Sequence, residues 1–243
     1  ALKLSQSSEV WLFDCGEGTQ HQIMKSNIKS SQIKKIFITH MHGDHVYGLP
    51  GLLATLGLSG NSTGIEIYGP SELQGFINSA LNSSFCKLSF PLRFVEVENY
   101  ALQNKILFEN NKIKVNCACL KHKIPTYGYR VSEKEKPGIF DIKKAESMKI
   151  APGPIYSELK QGKKVVLADG RILDGKEFCG PSRKGESFVY CTDTVFSESA
   201  VSLSKNADLL VHESTFAHDD ESMAYEKLHS TTIMAAKTAL LSN

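Results

Sequence analysis

Thr39-His40-Met41-His42-Gly43-Asp44-His45-Val46-Tyr47-Gly48-Leu49-Pro50-Gly51 follows directly on Ile33-Lys34-Lys35-Ile36-Phe37-Ile38, a run rich in β-branched and aromatic residues that reads as a strand. Three histidines and one aspartate therefore stand within six residues at a strand end. Side chains alternate along an extended segment, so His40 and His42 point the same way, with Asp44 and His45 turning beneath them. Four short nitrogen and oxygen donors converging there fit one borderline metal and half of a second. The bland alternative is a solvated, histidine-rich loop. The density of ligands and their position after a strand argue against it.

Outward from this loop, residues 10–14 read as a short strand that ends in the turn Asp14-Cys15-Gly16-Glu17-Gly18. Residues 52–58 predict a helix and 65–68 a strand, which Gly69-Pro70 breaks. Ser71 is expected to cap a helix through about Leu81, with Leu73, Phe76, Ile77 and Ala80 on one face. Further strands are expected at 92–97, 105–108, 113–117 and 128–131. Residues 188–191 and 208–211 read as buried strands, each followed by polar residues. Ser230 is expected to cap a last helix whose apolar stripe is Ile233, Ala236, Ala239 and Leu240. Short strands mixed with amphipathic helices predict a layered α/β domain. Between about 133 and 184 the composition changes to an insertion richer in Pro and Gly. It carries a small hairpin (165–167 and 172–173) and, over 143–164, six Lys against two Glu.

The 243 residues are 41% hydrophobic and 22% charged, with 18 Gly and 8 Pro, a globular composition that excludes collagen, coiled coil and wholesale disorder. Twenty-eight Lys and Arg against 26 Asp and Glu leave a net charge of only +2, so a polyanion-binding surface must come from clustering. No apolar run reaches the length of a membrane span, and no signal-like segment opens the chain. Six Cys in a chain this long read as free thiols in a reducing cytoplasm. Cys117 and Cys119, two apart on a strand, are expected to be small buried hydrophobes. Trp11 and the phenylalanines read as core, His21 and His218 as surface. Ala1-Leu2-Lys3-Leu4 lacks an initiator Met and reads as the middle of a strand, so a longer parent chain is expected.

His-x-His-x-Asp-His after a buried strand resembles the signature of the metallo-β-lactamase superfamily. The resemblance narrows to the ribonuclease Z family of tRNA 3′-processing endonucleases through Phe13-Asp14-Cys15-Gly16-Glu17-Gly18-Thr19-Gln20 and the 39–51 stretch. It continues in order through 125–130 (PTYGYR), Pro152-Gly153-Pro154, Asp193-Thr194, His212-Glu213-Ser214-Thr215 and His229-Ser230-Thr231. It implies a four-layer αββα metallo-β-lactamase sandwich with the metals at one edge. Residues 1–243 are then a single domain, incomplete at both ends, with a flexible RNA-binding arm inserted at about 133–184.

The same resemblance implies two Zn²⁺ held by His40, His42, Asp44, His45, His122 and Asp193, with Asp193 bridging them and a last histidine ligand lying beyond Asn243. Thr192 stands where the family usually has glycine. Asp44 is implied as the proton acceptor and His229 as the general acid. Glu213 is implied as the carboxylate that raises the basicity of His229 and fixes its tautomer. His212 is expected to orient backbone rather than ligate. The implied activity is hydrolysis that removes the 3′ trailer from precursor tRNA, leaving a 3′-OH on the tRNA and a 5′-phosphate on the trailer. The implied enzyme is a cytoplasmic homodimer with no membrane association, its Lys-rich arm making salt-dependent phosphate contacts. Taken alone, His122 between Lys121 and Lys123 reads as surface, Asp193 as a strand-end cap, and His229 as unremarked. Two other readings stay open: a different hydrolase of the superfamily, and a catalytically dead tRNA-binding or dimerisation module. The Lys-rich insertion weighs against the first, and six intact candidate ligands against the second.

Overall fold

The β-branched runs assemble into two five-stranded sheets and a separate two-stranded one, seen in a computed structural model that describes residues 1–4 and 8–243. The chain begins with β1 (Leu2–Lys3), β2 (Val10–Phe13), α1 (Thr19–Lys25), β3 (Ile33–Phe37), α2 (Gly43–Val46) and α3 (Leu49–Leu58). It continues with β4 (Ile65–Gly69), α4 (Glu72–Ser83) and β5 (Leu92–Glu96). These strands form one sheet in sequential order, parallel from β2 to β5, with β1 antiparallel to β2. After α5 (Glu98–Leu102) come β6 (Ile106–Glu109), β7 (Ile113–Leu120) and β8 (Thr126–Glu133). Next are α6 (Ile142–Ser147), α7 (Pro154–Lys160), β9 (Lys164–Val166) and β10 (Ile172–Asp174). The chain closes with β11 (Ser187–Cys191), α8 (Glu198–Ser204), β12 (Leu209–His212), α9 (Glu221–Lys227) and α10 (Thr232–Leu241). The second sheet runs β12-β11-β8-β7-β6.

The period-two alternation of β2 and β3 builds two different cores. Val10, Leu12 and Ile36 turn outward and pack with Leu52, Leu53, Leu56, Leu73 and Ile77 of α3 and α4. Trp11, Phe13 and Phe37 turn inward and meet the second sheet: Phe13 lies 5.2 Å from Phe188, Phe37 5.2 Å from Tyr129, and Trp11 6.1 Å from Phe108. Tilted and edge-on aromatic pairs at these separations are favourable beyond their buried area. The buried Tyr129 hydroxyl donates across the sheets to the Ile38 carbonyl at 2.6 Å. Outside the second sheet, Ala200 and Leu203 of α8 pack on Leu120, Val189 and Cys191. Helix, sheet, sheet, helix is the αββα order expected from the sequence.

By contact density the chain divides into a unit of Ala1–Glu109, Lys114–Val131 and Ser187–Asn243, and a second of Asn110–Ile113 and Ser132–Glu186. The second unit has its own small core, in which Phe140, Ala145, Ile150, Leu159, Val165, Leu173 and Phe178 gather under α6, α7 and the antiparallel β9–β10 hairpin.

Several local expectations are corrected. Helix α3 starts three residues before the predicted 52, because Pro50 is tolerated in a first helical turn. Ser71 occupies the N-cap position of α4 without a capping side-chain bond. The last helix is capped by Thr231, which accepts from Met234 N, whereas the Ser230 hydroxyl is drawn to the Thr194 carbonyl. That helix also buries the opposite face from the one expected: Met234, Thr238 and Ser242 are inside, and Ile233, Ala236, Ala239 and Leu240 are exposed. Thr238 and Ser242 can go inside because each hydroxyl bonds the carbonyl four residues back. Strand β12, read as buried, is a sheet edge with Leu209 and Val211 exposed. Phe85, read as core, is 93% exposed. All six cysteines are free, and no helix among the described residues is long and apolar enough to cross a membrane.

Candidate metal centre

Strand ends deliver the centre: Thr39 and His40 follow β3, His122 follows β7, Asp193 follows β11 and Glu213 follows β12. The turn after β2 underpins the histidine loop. Asp14 adopts a left-handed conformation (φ 58°), which aspartate tolerates better than most residues. Its carboxylate accepts from Thr39 N at 2.8 Å, the Thr39 hydroxyl at 3.0 Å and His45 Nδ1 at 2.9 Å. Only glycine permits the close backbone contact here. A Cβ on Gly16 would lie 2.2 Å from the Asp44 carbonyl oxygen, and one on Gly48 2.0 Å from that of Gly16.

Three imidazole nitrogens crowd together with no carboxylate between them. His40 Nε2 lies 3.0 Å from His42 Nδ1, which lies 3.2 Å from His122 Nε2. His122 has its Nδ1 proton committed to the Leu228 carbonyl at 2.9 Å, so its Nε2 presents a lone pair. Asp193 Oδ2 faces this group, 3.6 Å from His40 Nε2 and 3.9 Å from His122 Nε2. The other oxygen, Oδ1, faces His45 Nε2 at 3.5 Å, and that nitrogen is 3.4 Å from Asp44 Oδ2. Two sets result, His40–His42–His122–Asp193 and Asp44–His45–Asp193, each with its donor atoms within 4.8 Å of one another. Hydrogen bonds alone cannot satisfy the first set, since His42 Nδ1 faces two other ring nitrogens and has at most one proton to offer. A divalent metal fits that donor chemistry.

The electrostatics follow the same division. Burial, reinforced by neighbouring His45, pushes His40 down to about 3, so it is a neutral donor. Burial also lowers His122. For His45, burial opposes the charge but is outweighed by the carboxylates of Asp14 and Asp193, which lift it to about 10. Asp193 is pushed upward by burial, yet hydrogen bonds and charge from His45, with the Thr192 hydroxyl, hold it far below the usual carboxylate range. Burial raises Cys15, Cys117 and Cys191 to about 12, in keeping with inert thiols.

Glu213 and His229 form a pair beside these sets. Glu213 Oε1 accepts from His229 Nδ1 at 2.9 Å and from Thr194 N at 2.9 Å, while Oε2 accepts from Thr215 N at 3.0 Å and its hydroxyl at 2.7 Å. Four donors leave this carboxylate little capacity to ligate, although it falls with Asp193 and His229 in a third donor cluster. His229 Nε2 points toward Asp193 Oδ2, 4.0 Å away. His212 Nδ1 meets the Glu213 carbonyl at 2.7 Å, consistent with the backbone-orienting role expected of it.

The structure thus brings His40, His42, Asp44, His45, His122, Asp193, Glu213 and His229 to one place. The sequence places Asp14 in a turn and in the stretch that carries the family resemblance, but assigns no role to it, to Tyr190 or to Thr215. A lone Asp directly after a strand, ahead of a Gly-rich turn, was the available signal for Asp14. Nothing in the sequence marks Tyr190, whose hydroxyl reaches Asp14 Oδ2 at 3.3 Å from another sheet.

A family model described as the anti-Pycsar protein Apyc1 matches residues 2–134. The chain is similar to ribonuclease Z of Prochlorococcus marinus (strain AS9601), with 90% identity over 243 residues, covering all of this chain and 78% of that protein. Among solved structures it is similar to human tRNase Z, short form (ELAC1), at 32% identity and a TM-score of 0.69, over 98% of this chain and 80% of that one. The metallo-beta-lactamase fold protein YhfI from Bacillus subtilis shares the fold alone, with a TM-score of 0.58 at 16% identity over 96% of this chain and 69% of that one.

Proposed function

The chain belongs to the family described as anti-Pycsar protein Apyc1 over residues 2–134 and, over its whole length, to the ribonuclease Z family of tRNA 3′-processing endoribonucleases, and from that membership we propose how its residues divide the work. His40, His42, His122 and Asp193 would hold one Zn²⁺, and Asp44, His45 and Asp193 a second. The observation that carries this reading is the Asp193 carboxylate, whose two oxygens face different ligand sets. When bound, the metal pair supplies Lewis-acid polarisation of the scissile phosphate and a water acidic enough to ionise near neutral pH.

The remaining steps belong to side chains. Asp44, with a side chain 72% exposed, can accept the proton of the attacking water on its second oxygen. His229 delivers a proton from Nε2 to the departing 3′ oxygen, leaving a 3′-OH on the tRNA and a 5′-phosphate on the trailer. Glu213 fixes the orientation this requires, because Nδ1–H is held in the hydrogen bond to Oε1 and Nε2 is left to face the site. Residues 1–243 act as one metallo-β-lactamase-type domain whose insertion at about 133–184 is the RNA-binding arm, supported by the local excess of lysine at 143–164. The proposal extends to a cytoplasmic homodimer, for which the six unpaired cysteines support a reducing compartment.

The test sets a precursor tRNA beside a chromogenic phosphodiester with the zinc-loaded protein and maps the product ends. Cleavage at the 3′ side of the tRNA with 3′-OH and 5′-phosphate ends, lost on chelation, is the expected result. Turnover of the small diester without cleavage of precursor tRNA would make this another hydrolase of the fold.

A further inference from the structure

Asp193 can serve two ligand sets only if its carboxylate plane is held, since a quarter-turn about its last bond would swing both oxygens away from the sets they face. On one side the plane is held by a neighbour in sequence. The Thr192 hydroxyl donates to Asp193 Oδ1 at 3.0 Å. Oδ1 is the oxygen that faces His45, whereas Oδ2 faces His40 and His122. Thr192 is 7% exposed, so water does not compete freely for this bond. It also stands in a wider arrangement on the same side: the neighbouring Tyr190 hydroxyl bonds Asp14 Oδ2, and Asp14 in turn holds His45 Nδ1. Asp14, Tyr190 and Thr192 therefore flank the Asp44–His45–Asp193 set, and none of them bonds an atom that His42 or His122 presents to the other set.

We propose that Thr192 is a positioning residue that aims Asp193 Oδ1 into the Asp44–His45–Asp193 set and so secures the second metal. This deepens the two-metal reading above and rests on it. Glycine at 192 would leave Oδ1 without this donor, and alanine or valine would leave the position filled but mute. A half-buried oxygen acceptor that loses its donor is free to reorient, and groups that orient metal ligands in this way are worth about 10- to 100-fold in metal affinity. The loss falls harder on one site, because the bond is made to Oδ1, the oxygen that faces His45. The Asp44–His45–Asp193 set is also the more sensitive one, having three residues against four.

The experiment is a zinc titration of the intact, metal-stripped protein against a competing chromogenic chelator, for the parent, Thr192→Val and Thr192→Ser, with thermal unfolding of each metal-free form. Valine keeps the branched shape and removes the hydroxyl; serine restores it. The expected result is two binding steps in the parent, with the weaker step reduced a further 10- to 100-fold in Thr192→Val, the tighter step reduced by less, and Thr192→Ser returned toward the parent. Equal weakening of both steps, no change in either, or failure of serine to rescue would each overturn the assignment. If Thr192→Val fails to fold, Thr192→Ser and Thr192→Ala are compared in its place, and an alanine titration identical to serine overturns it equally. A parent that binds fewer than two zinc ions would instead overturn the two-metal reading itself.

Discussion

His229 separates the two kinds of work done around Asp193, because its Nε2 faces the metal ligands while its Nδ1 is tied to Glu213. As the proposed proton donor it would not be required to hold metal. His229→Ala should therefore lose roughly 10²- to 10⁴-fold in turnover on precursor tRNA, the range for a general acid, while zinc content measured by elemental analysis stays at the parent level. Loss of zinc in this variant would make His229 a ligand instead. The residue scale is also where the sequence was least even. The six candidate ligands split into a dense run at 40–45, which announces itself by spacing, and two isolated residues. His122 and Asp193 carry no local signal, since what makes them candidate ligands is a fold that brings residue 122 and residue 193 to the same edge as residue 40. Asp14 was in plain view but silent, its role depending on a left-handed backbone turn that places the carboxylate under Thr39 and His45.

Among the elements, the insertion repays closer inspection than a count of its lysines. Its own core rules out a simple excision of 143–164, which would remove Ala145, Ile150 and Leu159 from beneath Phe140 and Phe178. One of the six lysines at 143–164 is already engaged: Lys144 Nζ bonds the Glu177 carbonyl at 2.7 Å and lies 5.1 Å over the Phe178 ring. The other five, Lys143, Lys149, Lys160, Lys163 and Lys164, are exposed. Replacing those five with Gln should weaken precursor tRNA binding and flatten its salt dependence, by at most about one ion per lost phosphate contact. Hydrolysis of a small chromogenic diester should be unaffected, because none of the proposed ligands or proton carriers lies in the insertion. Unchanged tRNA affinity and salt slope would put the RNA surface elsewhere. Element reading succeeded where one periodicity dominated, as in α4 or in β2 and β3. It failed at α10, where two faces were both plausible and hydroxyl back-bonds let Thr238 and Ser242 go inside in place of Ile233 and Leu240.

For the whole molecule, layering turns a one-dimensional pattern into a site. Aromatic side chains on the inner face of β2 and β3 lock the two sheets together, and that packing sets the strand ends of both sheets at one edge, where Asp193 from one meets His40 and His45 from the other. The α/β layering was legible from short strands alternating with helices. The meeting of the sheets was not, because register between sheets depends on contacts such as Phe13 with Phe188 that no local window contains. The resemblance to a known family supplied what periodicity could not. Whether one carboxylate serves two metals in a tRNA-cleaving centre is tested most directly by Asp193→Ala in the intact protein, with zinc stoichiometry measured alongside precursor tRNA cleavage. The parent should hold two zinc ions per chain. The variant should lose the ion at Asp44 and His45, which keeps only two of its three ligands, and with it cleavage, while tRNA affinity persists. Two zinc ions and turnover near the parent in Asp193→Ala would contradict the account.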